Sequence, residues 1–341
     1  MAIYYRPLVQ TGPVRPVDAH PVAGGACWFT HAQTITRTGG AESGAEIVPA
    51  ADIPQAVMDR ITQARQPIAG LALDSPLIMG ILNVTPDSFS DGGDHNGPAK
   101  ALAFGRQMVL DGADIIDVGG ESTRPGALEV PQEAEIARTF PVVSALRNTL
   151  KTPISIDTRK ASVARAIHGA GADIVNDVSG FTFDKALAPY CAEHGLPVCV
   201  MHAQGDPETM HVNPRYDNVL LDVYDFLEAQ LVMLGELGIP RSRIMLDPGI
   251  GFGKTIAHNL ALLNGISLFH SLGCAILLGV SRKGFIREIG AAPVPAERAP
   301  GSIAVGLAAL AQGVQILRVH DVKETRQALN LWQAVMTGEY Q

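Results

Sequence analysis

Three features that mark other classes of protein are missing from this sequence. The formal net charge of -8 offers no attraction to nucleic acid or to an anionic membrane, so local basic groups must hold any anionic ligand. The first residues contain no continuous apolar stretch typical of a signal peptide, and no uncharged apolar run reaches the ~18 residues of a membrane span. We therefore expect a soluble cytoplasmic protein with no nucleic-acid or membrane partner.

Cysteine is scarce, and its spacing indicates no metal or disulfide motif. Cys27, Cys191, Cys199 and Cys274 form no C-x-x-C pair and no spacing typical of a zinc site. We expect buried thiols in a reducing compartment.

Charged residues are also scarce, at 18% of the chain, whereas 47% of the residues are hydrophobic. This composition suits buried parallel strands covered by Ala-rich helices, and it excludes disorder over most of the chain. The 341 residues exceed the about 250 that one α/β barrel needs. We expect one large domain with an appendage.

From Leu77 onward, short apolar runs alternate with amphipathic segments of helical length, which predicts consecutive strand and helix units. Eight units close most economically as a parallel (β/α)8 TIM barrel, because right-handed crossovers place every helix outside the sheet. An open doubly wound sheet is the alternative. The eight predicted strands are 77–82, 114–118, 153–157, 173–177, 197–201, 243–247, 275–280 and 315–319.

The residues before this pattern show no sustained periodicity. A strand is possible at 26–37 and a short helix at 53–65, among scattered Pro and Gly. We therefore predict an N-terminal extension of unknown role, 1–75, followed by a barrel, 76–341.

Polar residues follow nearly every predicted strand. In a barrel the active site forms where strands end and the following loops begin. One Asp after a strand is usually the N-cap of the next helix, but eight polar strand ends on one rim favour a functional site. These ends are Asn83, VGGESTRPGA, Asp157, Asn176 with Asp177, Met201 with His202, LDPGIGFGKT, GVSRKG and RVHDVKET.

Two tempting motif assignments fail on inspection. The run GIGFGKT suggests a phosphate loop, but that motif requires Gly where Pro248 stands, and the dinucleotide motif requires Gly where Lys254 stands. His202 suggests a metal ligand, but it has no carboxylate or thiol partner at ligand spacing. We therefore predict that the segment around His202 is loop architecture.

The strand-end segments, taken together and in order, resemble dihydropteroate synthase. They are LNVTPDSFSDGG, GGESTRPGA, SIDT, NDVSG, MHAQGDPETM, LDPGIGFGK, GVSRKGF and RVHDV, and the resemblance covers residues 76 to 336. It implies the family's barrel, its magnesium requirement, its usual homodimer and its inhibition by sulfonamides. It also implies the reaction: a pterin methyl diphosphate and 4-aminobenzoate are joined and diphosphate is released, a step of folate biosynthesis.

The resemblance assigns the pterin ring to the strand ends. Asp247 matches the family's pterin-binding Asp, and a carboxylate can accept in bidentate fashion from the ring amide and its exocyclic amine. Asn176 can donate to and accept from the remaining ring edge, and Lys283 can reach the ring carbonyl. Met201 is expected against the face of the ring.

The catalytic set implied by the resemblance is Asp157, Lys283, Arg318 and His320. Asp157 matches a carboxylate beside the pterin, where an anion stabilises the methylene carbon as diphosphate leaves. Arg318 and His320 are expected to contact the diphosphate, and Asn83 is similar to the family's ligand for Mg2+.

The Gly-rich segments 83–97 and 119–127 look like the family's two mobile loops, which close over the site and order the second substrate. Phe89, Thr123, Arg124 and Pro125 would wall the aminobenzoate pocket, and Phe252 would pack against the aryl ring.

One position departs from the family pattern. Gly284 stands where the family often has Ser, whose hydroxyl helps to hold the aminobenzoate carboxylate, so this contact is in doubt. Two other functions stay open: a pterin-dependent methyltransferase domain of the same fold, and a pterin-binding protein without catalysis. The SRK, RVH and STRPG segments favour the synthase.

Overall fold

The amino-terminal part forms a small antiparallel sheet beside the barrel. In the computed structural model, which describes residues 1–85, 97–122, 126–205, 209–210 and 212–339, three strands pair in the order β1-β4-β5. A separate two-stranded ladder joins β2 to β3. The elements are β1 (Ala2–Pro7), β2 (His20–Pro21), β3 (Trp28–Phe29), β4 (His31–Thr38), β5 (Ala41–Pro49) and helix α1 (Gln55–Thr62).

The predicted strand at 26–37 corresponds to β3 and β4, and the predicted helix at 53–65 is confirmed as the shorter α1. Strands β1, β2 and β5 were not predicted. The residues of β5 from Glu42 to Ile47 are all exposed, so this edge strand lacks the alternation of apolar and polar residues that marks a half-buried strand.

Eight parallel strands close into a barrel, which confirms the predicted TIM barrel and shows that the open-sheet alternative was wrong. Their ends lie within two residues of the predictions. They are β6 (Leu77–Asn83), β7 (Ile115–Gly119), β8 (Ile154–Asp157), β9 (Ile174–Asp177), β10 (Val198–Met201), β11 (Ile244–Asp247), β12 (Ala275–Leu278) and β13 (Ile316–Val319).

Helices follow the barrel strands and cover the sheet. Among the described residues, none is long and apolar enough to cross a membrane. The helices are α2 (Gly97–Leu110), α3 (Gln132–Thr149), α4 (Ala161–Gly169), α5 (Leu187–Glu193), α6 (Val219–Glu236), α7 (Ile256–Asn264), α8 (Gly284–Ile289), α9 (Ala299–Leu310) and α10 (Val322–Thr337), with a 3-10 helix at Ile266–Leu272.

Alternation along the barrel strands sorts their side chains between two cores. In β7, Ile116 and Val118 join the outer core beneath the helices, whereas Ile115 joins a cluster inside the barrel. That inner cluster also contains Met79 from β6 and Met245 from β11. Because successive side chains point to opposite faces, every second residue after an inner-cluster residue also points into the barrel. Near the carboxyl ends of the strands these inward residues are mostly polar.

Candidate active site

The inward positions at the carboxyl ends of the strands bring most of the predicted site residues together. Strand register places Gly119 beside Asp157 and Asp157 beside Asn176. The same register pairs Met201 with Asp247. The residues of this rim are Asn83, Asp117, Asp157, Asn176, Met201, Asp247 and Arg318.

Arg318 lies between two carboxylates in the rim. Its Nε donates to Oδ2 of Asp117 at 2.6 Å, and its Nη2 donates to Oδ2 of Asp157 at 2.8 Å. Asn176 Nδ2 donates to the same Asp117 oxygen at 3.1 Å. Arg318 of β13 therefore joins two carboxylates, from β7 and β8, and one of these also accepts from an amide of β9.

The charges in this cluster shift one another's ionisation. Burial raises the pKa of Asp157 to about 8; Arg318 opposes this rise, and the carboxylate of Asp117 adds to it. Burial acts to lower the pKa of Arg318, but the attraction of Asp117 and Asp157 outweighs it and the pKa is raised. Arg318 is therefore cationic at neutral pH, and it faces more carboxylates than it can neutralise.

A second charged pair lies across the rim. Asp247 Oδ1 accepts from the backbone N–H of Gly249 at 2.7 Å, and burial raises the pKa of the carboxyl while Lys283 opposes the rise. Burial lowers the pKa of Lys283 to about 8 against the attraction of Asp247. The ammonium lies 4.3 Å from the ring centroid of Phe252 and also donates to the carbonyl of Ile250.

The Gly-rich loop after β11 presses directly on the residues after β10. A Cβ on Gly249 would lie 1.8 Å from the carbonyl oxygen of His202, and one on Gly253 would lie 2.4 Å from that of Gln204. Both glycines also have positive φ. The glycines in GIGFGKT therefore allow two loop backbones to touch, and this explains their spacing without a phosphate.

His202 is part of this loop contact. Lys254 Nζ lies 2.9 Å from Nδ1 of His202 and donates to the carbonyl of Phe252 at 3.0 Å. Burial, with the nearby charge of Lys254, lowers the pKa of His202 to about 3, so the ring is neutral. The ring also meets Phe226 edge to face. These contacts support the prediction of loop architecture.

The ends of β12 and β13 complete the rim. His320 Nδ1 lies 3.0 Å from the hydroxyl of Ser281, and its backbone N–H donates to the same oxygen at 3.1 Å. Arg282 pairs with Asp321. Gly284 begins α8, is exposed, and would have nothing within 4 Å of an added Cβ. A larger residue fits there.

Four predicted residues lie outside the described part of the chain: Phe89, Thr123, Arg124 and Pro125. The described ends of the second loop are held by buried charges. Glu121 accepts from the backbone N–H of Val130, and Lys160 donates to the carbonyl of Val130, each at 2.8 Å. Lys160 also pairs with Glu121 and with Glu135.

Sequence reasoning missed Asp117 and this second cluster. The strand pattern assigns Asp117 no role of its own, although a charge inside an apolar run must find a partner when buried. Its spacing of two from Ile115 puts both side chains on the inner face, which is a signal available from sequence. The charged partners of Glu121, Arg159 and Lys160, lie in the segment after β8, and Lys160 also pairs with Glu135 of α3, so spacing alone does not connect them.

Comparison with known proteins gives consistent results. The family model described as "Pterin binding enzyme" matches residues 79–320. The chain is 45% identical over 269 residues to dihydropteroate synthase of Escherichia coli K12, covering 79% of this chain and 95% of that protein. It is 43% identical over 263 residues to the Bacillus subtilis 168 enzyme of the same name, covering 77% and 90%.

Solved structures of dihydropteroate synthases are similar in fold. The Yersinia pestis enzyme with a sulfonamide drug complex superposes with a TM-score of 0.75 at 42% identity, covering 80% of this chain and 98% of that one. The Xanthomonas albilineans enzyme with 4-aminobenzoic acid gives 0.75 at 43% identity, covering 80% and 97%. Its complex with 7,8-dihydropteroate gives 0.73 at 40% identity, covering 80% and 98%.

Proposed function

Because the chain belongs to the dihydropteroate synthase family of pterin-binding enzymes, we propose that its strand-end rim binds both substrates of that reaction. The enzyme condenses 6-hydroxymethyl-7,8-dihydropterin diphosphate with 4-aminobenzoate to give 7,8-dihydropteroate and diphosphate in folate biosynthesis. The observation that carries the site assignment is the hydrogen-bonded Asp117–Arg318–Asp157 cluster on one rim with Asp247 and Lys283.

The pterin ring is bound by Asp247, Asn176 and Lys283. The carboxylate of Asp247 accepts from the ring amide and the exocyclic amine, two parallel donors that suit bidentate recognition. Asn176 Nδ2 already donates to Asp117, so its amide oxygen is the group that can accept from the other ring edge. Lys283 donates to the ring carbonyl, and buried Met201 packs against the ring.

Catalysis rests on Asp157, Arg318 and His320. The bond between the methylene carbon and diphosphate breaks, a carbon–nitrogen bond to aminobenzoate forms, and the aromatic amine loses one proton. Ionised Asp157 stabilises positive charge on the methylene carbon. Arg318 and His320 stabilise the departing diphosphate. The aromatic amine is neutral near pH 7, so positioning matters more than a strong base.

The donor set of the rim fits magnesium held jointly with the substrate. Oδ1 of Asn83 and Oδ2 of Asp157 lie 3.5 and 3.7 Å from the position that a Cβ on Gly119 would occupy, so hard oxygen donors line this part of the rim. Among the described residues, no group of three or more His, Cys, Asp or Glu could hold a metal ion. Asn83 would therefore share the ion with diphosphate oxygens, where magnesium supplies positive charge for the leaving group.

Aminobenzoate binds beside Phe252, with the residues Phe89, Thr123, Arg124 and Pro125 as the remaining wall. The ring of Phe252 faces the Lys283 ammonium, which supports a place for the aryl group at the edge of the pterin pocket. Sulfonamides, which mimic aminobenzoate, compete for this position.

The protein works as a homodimer in the cytoplasm. The four described cysteines are free and buried, which supports a reducing compartment. Light scattering on the purified protein measures the mass directly, and the mass of one chain in solution would contradict the dimer.

One assay tests the function. Purified protein is incubated with magnesium, the pterin diphosphate and aminobenzoate, and diphosphate and dihydropteroate are both measured. We expect equal amounts of the two products, and loss of activity when the metal is chelated. Asp247→Asn serves as the matched variant, since it keeps the shape of the pocket and removes the carboxylate charge that is proposed to bind the pterin ring. Methyl transfer without condensation would favour the methyltransferase alternative.

A further inference from the structure

The N-terminal sheet is attached to the barrel by charged hydrogen bonds. Arg37 on β4 donates from Nη2 to Oδ1 of Asp222 at 2.5 Å and from Nη1 to Oδ2 of Asp225 at 3.0 Å. Only 14% of its side chain is exposed. Its Nε also holds the carbonyl of Gly40 in the β4–β5 turn at 2.8 Å. The β4–β5 hairpin is thus bound to the first turns of α6.

Asp222 connects this hairpin to the loop that precedes α6. Its second oxygen, Oδ2, accepts from the backbone N–H of Asp217 at 3.0 Å and of Asn218 at 3.3 Å. Asn218 caps α6 through Oδ1 and donates from Nδ2 to Glu42 of β5 at 2.9 Å. Both residues that end the loop are therefore held by carboxylates that contact, or belong to, the hairpin.

The same loop supports the wall of the active site. The hydroxyl of Tyr216 donates to the carbonyl of Gly253 at 2.8 Å. Arg215 exchanges two backbone hydrogen bonds with the side chain of Gln204, whose own backbone lies against Gly253. Gly253 directly follows Phe252, the ring beside Lys283.

These contacts form a continuous path from the extension to the second-substrate pocket. It runs from Arg37 through Asp222, the backbone at 217–218 and Tyr216 to the carbonyl of Gly253. We propose that Arg37 is a positioning residue for aminobenzoate binding, acting through this path on Phe252, and that the N-terminal extension is therefore a working part of the enzyme. The inference rests on the proposed contact between Phe252 and aminobenzoate.

Steady-state kinetics of Arg37→Ala, Tyr216→Phe and the double variant test the path. We expect each single variant to raise the KM for aminobenzoate about fivefold, with the KM for pterin diphosphate and kcat within twofold of the parent. If both act on one path, the double variant should be no worse than the more affected single variant. Arg37→Lys keeps the positive charge but not the planar guanidinium that donates to two carboxylates, so its KM for aminobenzoate should lie between those of Arg37→Ala and the parent.

Tyr4→Phe is the matched control. Tyr4 also joins the sheet to α6 by donating to Asp225, but Asp225 accepts from no backbone N–H of the described part of the loop. This variant should keep both KM values within twofold. An equal loss in Tyr4→Phe, or effects of Arg37→Ala and Tyr216→Phe that multiply, would overturn the proposal and indicate general loosening of the fold.

Phe252→Leu separates this inference from the assignment on which it rests. An unchanged KM for aminobenzoate in Phe252→Leu would refute the contact with Phe252. A raised KM there together with a normal KM in Arg37→Ala would refute the path alone. If Arg37→Ala does not fold, Arg37→Lys replaces it in the comparison with Tyr216→Phe. The double variant should again raise the KM for aminobenzoate no more than the more affected single variant.

Discussion

Replacing Asp117 with asparagine should move the pH dependence of catalysis to lower pH. Asp117 Oδ2 accepts from Arg318 and from Asn176, whereas its buried Oδ1 accepts from no described residue. An asparagine can therefore turn its oxygen toward both donors and its nitrogen toward the unused side. The variant keeps the hydrogen bonds and removes only the charge.

The size of the change follows from the repulsion between Asp117 and Asp157, which share Arg318. For carboxylates on the order of 5 Å apart at an effective dielectric constant of about 20, the repulsion is roughly 3 kcal/mol, equivalent to about 2 pH units. Arg318 lies between the two groups and screens part of it. We expect the pKa of Asp157 to fall from about 8 by 1 to 2 units.

The measurement is kcat/KM for the pterin diphosphate from pH 5.5 to 9.5, because this ratio reports ionisation in the free enzyme. If ionised Asp157 is the active form, activity rises as pH passes its pKa, and the rise should occur at lower pH in Asp117→Asn. Ser155→Ala is the matched control: Ser155 pairs in register with Asp117 and carries no charge. If kcat/KM rises at the same pH in Asp117→Asn as in the parent, the reasoning is refuted.

Three further substitutions test the site. Asp157→Asn keeps an acceptor for Arg318 and removes the charge beside the methylene carbon, so kcat should fall on the order of 100-fold. The Kd for the pterin, measured by calorimetry, should stay within about threefold of the parent value. Full activity would exclude Asp157 from catalysis. Gly284→Ser adds a hydroxyl in open space and should lower the KM for aminobenzoate about threefold; an unchanged or higher KM would contradict this. In Gly253→Ala the added Cβ would lie 2.4 Å from the carbonyl oxygen of Gln204, and the residue would keep a positive φ. The free energy of unfolding, measured by thermal denaturation, should therefore fall by at least ~2 kcal/mol. An unchanged Tm would show that the two loop backbones are not in direct contact.

The barrel was predictable because its strands carry a simple physical pattern. Each run is apolar on both faces, since one face meets the helices and the other fills the barrel. The N-terminal sheet carries no such pattern: β5 is an exposed edge strand, and β1 attaches to the barrel by polar groups such as Tyr4 and Arg6. Their partners are more than 200 residues away in the chain, and local sequence gives no indication of them.

The grouping of the candidate site residues was predictable where those residues lie at strand ends. Asp157, Asn176, Asp247 and Arg318 all lie on one rim, as the order of the motifs predicted. Asp117 was missed because it lies two residues before the end of its strand, inside the run used to define it. The support of the loops by distant side chains arises only when the chain is folded.

The direct contact between the two Gly-rich loop backbones limits how this enzyme can change. No side chain can be added at Gly249 or Gly253 without moving a neighbouring carbonyl, so neither position can take a larger residue while the two loops keep their contact. Position 284, by contrast, opens onto free space. Variants selected under drug pressure should therefore accumulate around α8 and leave Gly249 and Gly253 untouched, so an inhibitor that draws its contacts from the backbone at these two glycines would be the harder one to escape.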